Sequence, residues 1–269
     1  MIKVAGLWIY PIKSCQGISI PQMQVTSMGP AFDRRWMIVD ENNQYITLRT
    51  QAKLSQITTW LDDNYLTLIF DQFEFKTELN QQNSKIETVT VQDKILLAGI
   101  ESDVINNALT VFLNQPVRLV KYQNESFRSI DDAATKSVIE TTFTDVRPVL
   151  LTNSNSLTDL NNKLFNQQLQ PSEMNRFRPN IMISGLEAYQ EDHIQKITIG
   201  DVEFVNPKLC GRCVIVTMDS RSGQVVSNKT LKYLPLHQFP KGPKIIFGLY
   251  LTPENLGVVR MGDQCQVTV

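Results

Sequence analysis

Ten short runs rich in Val, Ile, Thr, Tyr and Phe return along this chain, each bounded by Gly, Pro, Asn or Asp, and few folds accommodate so many. They lie at residues 4–12, 35–40, 64–70, 87–92, 116–122, 180–184, 196–205, 213–219, 244–252 and 265–269. Spacing of this kind favours sheets closed into barrels or packed as sandwiches. Two stretches carry a helical period instead. In 103–115, Val104, Ile105, Ala108, Val111 and Phe112 fall near helical spacing, with Ser102 or Asp103 placed to cap the start. In 153–167, Leu157, Leu160, Leu164 and Phe165 give a similar face, and Ser154 to Ser156 offers the cap. The expected class is therefore mainly β with a few helices (α+β). Residues 121–137 are polar and without period, which predicts a linker or long loop and two β-rich units, 1–122 and 123–269. The Asn/Gln-rich stretch 78–85 reads as a solvated loop between strands.

Charge and hydropathy exclude several functions. Lys and Arg total 26 and Asp and Glu 27, a net charge of −1, so no global basic excess is present to hold a nucleic-acid backbone. Any anionic ligand must meet a local cluster. No run approaches the roughly 20 apolar residues that cross a bilayer, and the apolar start, broken by Pro11, is too short for a secretion signal. A soluble, cytoplasmic protein is expected. In that compartment Cys15, Cys210, Cys213 and Cys265 are expected to be reduced, ligating or buried.

Three constellations can carry chemistry. The first is the pair Cys210 and Cys213 in LCGRCVIVTMD. Structural zinc needs four ligands, and only the distant Cys15 and Cys265 remain. A redox pair opens a helix that lowers the thiol pKa, whereas Val214-Ile215-Val216-Thr217 has the composition of a strand. A thiolate at the mouth of a barrel strand, beside Arg212, is a soft ligand suited to a transition metal. Buried structural thiols are the plain alternative. The second constellation is Lys13-Ser14, in a turn bracketed by Pro11 and Gly17 that would expose both, with Arg34-Arg35 further on; lysine, hydroxyl and forked guanidinium suit a phosphate. The third is NRFRPN at 175–180, able to present Arg and Asn side chains to a polar ligand, with Asp145 just ahead of an apolar run. Solvated surface charge accounts equally for the last two. His193 and His237 suggest no metal site, and no phosphate loop, Ser-His-Asp order or carboxylate pair stands out.

Taken together, the segments LWIYPIKSCQG (7–17), FDRRWMIVD (32–40), FTDVRPVLLTNSNSLTDLN (143–161), RFRPNIMISG (176–185), IGDVEF (199–204) and LCGRCVIVTMDSRSG (209–223) resemble the MOSC family of molybdenum-cofactor proteins. More narrowly, they resemble its two-part group that includes the mitochondrial amidoxime reducing component and bacterial relatives. The resemblance implies an N-terminal β-rich module packed on a MOSC β-barrel. It also implies a molybdenum cofactor, Mo-molybdopterin, whose metal takes one protein cysteine. The motif places that metal ligand at Cys213, with Cys210 the alternative. Lys13, Ser14, Arg34, Arg178, Asn180, Gly211 and Arg212 match cofactor-binding positions, and Asp145 lies in a further contact loop. Arg147 stands where a small or hydroxylated residue is expected.

The implied activity is a two-electron, two-proton reduction of N-hydroxylated bases, amidoximes or hydroxylamines. The chain ends after its last strand with no cysteine quartet for an iron–sulfur cluster, so a separate flavin, haem or iron–sulfur protein is the expected donor. No membrane or nucleic-acid partner is expected. The alternative is a molybdenum-cofactor carrier, or a sulfuration or delivery protein without redox turnover. MOSC domains do occur fused to cofactor sulfurases, a context that includes a pyridoxal-phosphate-binding-like fold.

Overall fold

A computed structural model describes the chain except for residues 82, 84, 124, 125, 127, 133–136, 228 and 241. Part of the polar stretch 121–137 and of the loop 78–85 therefore lies outside the described residues. Strands dominate, with two α-helices among the described residues, so the chain is mainly β.

The largest sheet has nine strands. Its order runs Ile18–Ser19, Lys3–Ile9, Ile181–Ser184, Val149–Asn153, Lys244–Pro253, Val202–Gly211, Lys196–Ile199 and Cys265–Thr268, with Leu236–His237 added beside Lys244–Pro253. A bridge from Lys3 to Gln264 brings the last strand back to the first, so the strand order returns to its start. Val149–Asn153 and Ile181–Ser184 run parallel. Parallel neighbours need a crossover, and helix α2 (Ser154–Phe165) supplies it. Inside this sheet pack Leu7, Val149, Ile181, Ile197, Phe204 and Leu251. The sheet draws strands from both sides of residue 122.

A four-stranded sheet of Trp36–Asp40, Val117–Tyr122, Lys94–Ile100 and Ile86–Val91 stands beside it. Side chains alternate across a strand with period two. Trp36 and Ile38 accordingly enter one core with Leu119 and helix α1 (Asp103–Leu113). Met37 and Val39 enter a second core with Val120 and Phe143. Burial on both faces is what a continuous apolar run such as WMIVD requires. It also makes the strand a rigid post that carries Arg34 and Arg35 at its base.

Several local expectations needed correction. Residues 213–219 form no strand: Val214–Thr217 is a 3-10 turn with Cys213 at its start. Val216 packs with Leu160 and Phe247, while Ile215 and Met218 face the Trp36 core. The β-branched composition serves burial between two cores, and tertiary packing outweighs strand propensity. Helix α1 is capped by Ser102, whose hydroxyl accepts from Ile105 N–H at 3.5 Å, but its buried face runs through Ile105, Leu109 and Leu113 and leaves Val104 and Val111 in solvent. Helix α2 is capped by Asn153 rather than by Ser154 to Ser156. Ser156 instead donates to Glu191 at 2.7 Å and accepts from Tyr189 N–H. In the stretch 78–85, Leu79 is buried, and Gln81 and Glu78 give their carbonyls to Lys121, so this loop is packed and not merely solvated.

Trp36 also donates its indole N–H to Glu101 at 2.8 Å, and Glu101 accepts a second bond from Thr77 at 2.7 Å. Trp36→Ala should lower the unfolding free energy by about 3–5 kcal/mol. Trp36→Phe should cost less, chiefly about 1–3 kcal/mol for the bond Glu101 loses. Urea denaturation of the three proteins checks both.

Candidate functional site

Three turns from distant parts of the chain meet where the two sheets adjoin, and each carries a residue in left-handed backbone conformation: Ser14 (φ 70°), Arg34 (φ 47°) and Arg178 (φ 54°). Side chains other than glycine avoid this region, and it persists only where surroundings enforce it. Here hydrogen bonds do so. Lys13 N–H donates to Trp36 O and Arg34 N–H to Tyr10 O, both at 2.8 Å. The Arg178 guanidinium donates to Cys15 O at 2.6 Å and Arg34 to Arg178 O at 3.2 Å.

Both arginines lie over the ring of Tyr10, with guanidinium carbons 4.3 Å (Arg34) and 4.2 Å (Arg178) from its centroid. Such stacking over an aromatic face is attractive, more so when desolvated. Asp33 binds both sides, accepting Tyr10 N–H at 2.8 Å through Oδ1 and the Arg34 guanidinium at 2.5 Å through Oδ2. Burial opposes the charge on Arg34, yet the Asp33 carboxylate outweighs it and raises the pKa. Arg178 has no such partner: burial, then repulsion by Arg34, lowers it to about 10.

Lys13 and Ser14 are buried, contrary to the expectation of an exposed turn, because the turn folds inward. The Lys13 ammonium donates to Phe143 O at 2.8 Å and pairs with Asp145. Burial lowers the Lys13 pKa, with Asp145 opposing. Asp145 is penalised by burial too, but Lys13 prevails and holds it at about 2. The 141–145 loop that presents these acceptors is clamped from behind by buried Arg128, which donates to Thr142 O at 2.8 Å and Thr144 O at 2.7 Å.

The CGRC corner completes the site. It straddles the end of the Val202–Gly211 strand, where Gly211 pairs with Ile246. Cys213 is exposed, whereas Cys210 is buried and raised in pKa by its burial. The Arg212 guanidinium is committed to backbone, donating to Phe247 O at 2.6 and 2.8 Å and to Phe177 O at 2.9 Å. Asn180 is similarly engaged: its Oδ1 accepts Leu150 N–H at 3.1 Å and its amide donates to Trp8 O at 3.2 Å. Both side chains shape the wall.

One cleft of about 820 Å³, part of it open to solvent, is lined by Lys13, Ser14, Arg34 and Asp145 from one side and by Arg178, Asn180, Gly211, Arg212 and Cys213 from the other. Cys210 is not among the lining residues. Four more polar residues outside the named cofactor-binding set also line it: Thr144, Arg147, Arg176 and Tyr250. Arg176 and Arg147 stand inside the quoted motifs, and their burial is the signal that was lacking. Tyr250 sits in a strand whose face no sequence pattern specifies. Six cationic side chains thus meet one lining carboxylate in a chain of net charge −1. Buried Arg176 Nε has no partner. Among the described residues no three His, Cys, Asp or Glu side chains group closely enough to hold a metal alone. A metal at the Cys213 sulfur therefore needs its other ligands from a bound group. The donor set fits a polyanionic organic cofactor carrying a thiophilic metal.

Comparison with known proteins agrees in extent. The family profile described as MOSC N-terminal beta barrel domain matches residues 1–116, and that of the MOSC domain matches residues 139–266. The chain is 31% identical to mitochondrial amidoxime reducing component 2 of Rattus norvegicus, over 97% of this chain and 81% of that protein. It is 30% identical to mitochondrial amidoxime-reducing component 1 of Homo sapiens over the same shares. It is 28% identical to the molybdenum cofactor sulfurase of Oryza sativa subsp. japonica, over 95% of this chain and 33% of that one.

The Lys13–Asp145 pair makes a pH-dependent prediction. Asp145 titrates lower folded than unfolded, so its contribution to stability is complete above about pH 4 and lost as pH falls through 2. Asp145→Asn should flatten that part of the acid limb. It should also move the Lys13 titration midpoint down, since the charge opposing the effect of burial is gone; NMR of labelled lysine side chains checks this.

Proposed function

The chain belongs to the MOSC-domain family, and from that premise we propose that it is a molybdenum-cofactor-dependent reductase of N-hydroxylated compounds. The observation that carries this reading is the exposed Cys213 thiol standing in the same cleft as six cationic side chains. We take residues 1–122 and 123–269 as its two units, the second a β-barrel that borrows strands from the first.

In this reading the Cys213 sulfur is the metal ligand, at a corner that the Arg212 hydrogen bonds keep from moving. Lys13, Ser14, Arg34 and Arg178 bind the phosphate and the polar edge of the pterin, and Asp145 keeps the Lys13 ammonium aimed into the cleft. Gly211 keeps the approach to the thiol open, for a Cβ there would meet nothing within 4 Å. Asn180 and Arg212 act through the backbone they hold. When bound, Mo-molybdopterin supplies the two-electron chemistry by which an N–OH group becomes N–H and water. Electrons come from a separate flavin, haem or iron–sulfur protein. No helix among the described residues is long and apolar enough to cross a membrane. A cytoplasmic location belongs to this reading, although the named amidoxime reducing relatives are mitochondrial.

The similarity to a cofactor sulfurase supports the second reading, a carrier or delivery protein. The discriminating experiment is expression in cells that make molybdopterin, then metal analysis and turnover of an N-hydroxylated base with a reconstituted donor. Stoichiometric metal with turnover is expected; metal that passes rapidly to an apo-enzyme, without turnover, favours the carrier. Cys213→Ala should abolish metal retention or activity, and Cys210→Ala should spare both.

A further inference from the structure

A second cavity, of about 510 Å³ including its open mouth, shares Arg178 with the cleft and is walled by Tyr10, Gln16, Asn175, Arg178, Ser220 and Arg221. Four buried polar atoms with no hydrogen-bond partner belong to this wall: Tyr10 OH, Asn175 Oδ1, Arg178 Nη2 and Ser220 Oγ. Buried polar atoms are nearly always paired, and leaving one unpaired costs about as much as a lost hydrogen bond. Four orphans around one small space therefore point to a polar occupant. The wall holds two arginines and no carboxylate, so the occupant is anionic. Tyr10 is 2% exposed, and its burial raises the phenol to about 12, so it stays a neutral O–H donor. Arg178 and the two hydroxyls can donate, whereas Asn175 Oδ1 calls for a donor on the ligand. Gly17 permits the arrangement, because a Cβ there would meet the Tyr10 ring at 2.4 Å.

We propose that this cavity is a binding site for a protonated phosphate group, adjoining the cofactor cleft, with which it shares Arg178. Hydrogen phosphate accepts from Arg178, Tyr10 and Ser220 and donates its own P–OH to Asn175. Sulfate can do only the first. Arg178 lines both cavities, but the proposal does not rest on the reductase reading, since Tyr10, Asn175 and Ser220 line only this one.

The test is calorimetric titration of the whole protein, purified from molybdopterin-producing cells in phosphate-free buffer, with inorganic phosphate and with sulfate at constant ionic strength. One saturable phosphate site is expected, with sulfate at least tenfold weaker. Tyr10→Phe, which keeps the stacked ring, should weaken phosphate binding roughly ten- to hundredfold. Ser220→Ala, a loop substitution, should weaken it also and guards against a Tyr10→Phe protein that fails to fold. Lys13→Met, which alters only the cofactor cleft, should leave it unchanged. A phenyl phosphate arm at about pH 5, where the monoester keeps its P–OH, separates a free anion from the tail of a larger molecule: binding as tight as that of phosphate assigns the site to a phosphomonoester. Absence of saturable binding, equal affinity for sulfate, or loss of binding in Lys13→Met with retention in Tyr10→Phe overturns the proposal.

Discussion

Asp33 is the charge on which the rest of the site depends. Two guanidinium groups stacked on one tyrosine ring would repel each other in a medium of low polarity, where Coulomb forces are weakly screened. The carboxylate of Asp33 neutralises one of them and fixes the tyrosine backbone at the same time. Through Tyr10 it sets the inward turn of Lys13 and Ser14. Through Arg34, which donates to the carbonyl of Arg178, it ties that turn to a segment 144 residues later. Removing this one anion would leave buried positive charge uncompensated, the most costly kind of polar burial.

The cleft is held open by side chains that do not bind through their own polar groups. Arg212 and Asn180 satisfy backbone carbonyls and amides, and Arg128 supports a loop from behind. A guanidinium with its donors directed to fixed carbonyls is a rigid strut. The cations that keep ligand-facing atoms stand on such struts. The site thus separates support from recognition, as a preorganised anion site must if binding is not to cost the ordering of its own walls.

Much of this was legible in the sequence. Nine of the ten β-rich runs contain strands, because residues such as those of WMIVD have one comfortable arrangement: alternate burial in two cores. VIVTMD failed for the same reason that made it persuasive. Its β-branched residues are buried, but between cores that meet at a corner, which a chain can reach only by turning. The motifs contained most of the residues that line the cleft, Leu48 and Tyr250 apart, yet not their manner of doing so. Nothing in YPIKSC says that its lysine turns inward, since that depends on Trp36 O, Phe143 O and Asp145, all remote in sequence. Strands such as Gln22–Thr26 and Gly257–Arg260 were missed because they are short, and each is defined by pairing with the other end of the chain.

That the first strand touches Ser184 on one side and Gln264 on the other bears on how the molecule is made. Loop closure over such separations is slow, and contacts of this range form late in folding. Residues through Gln264 must leave the ribosome before the strand at Lys3 finds both neighbours. A prosthetic group held between Lys13 and Cys213 would then be loaded only after this closure, and so be open to whatever chaperone or insertion machinery meets the folded unit.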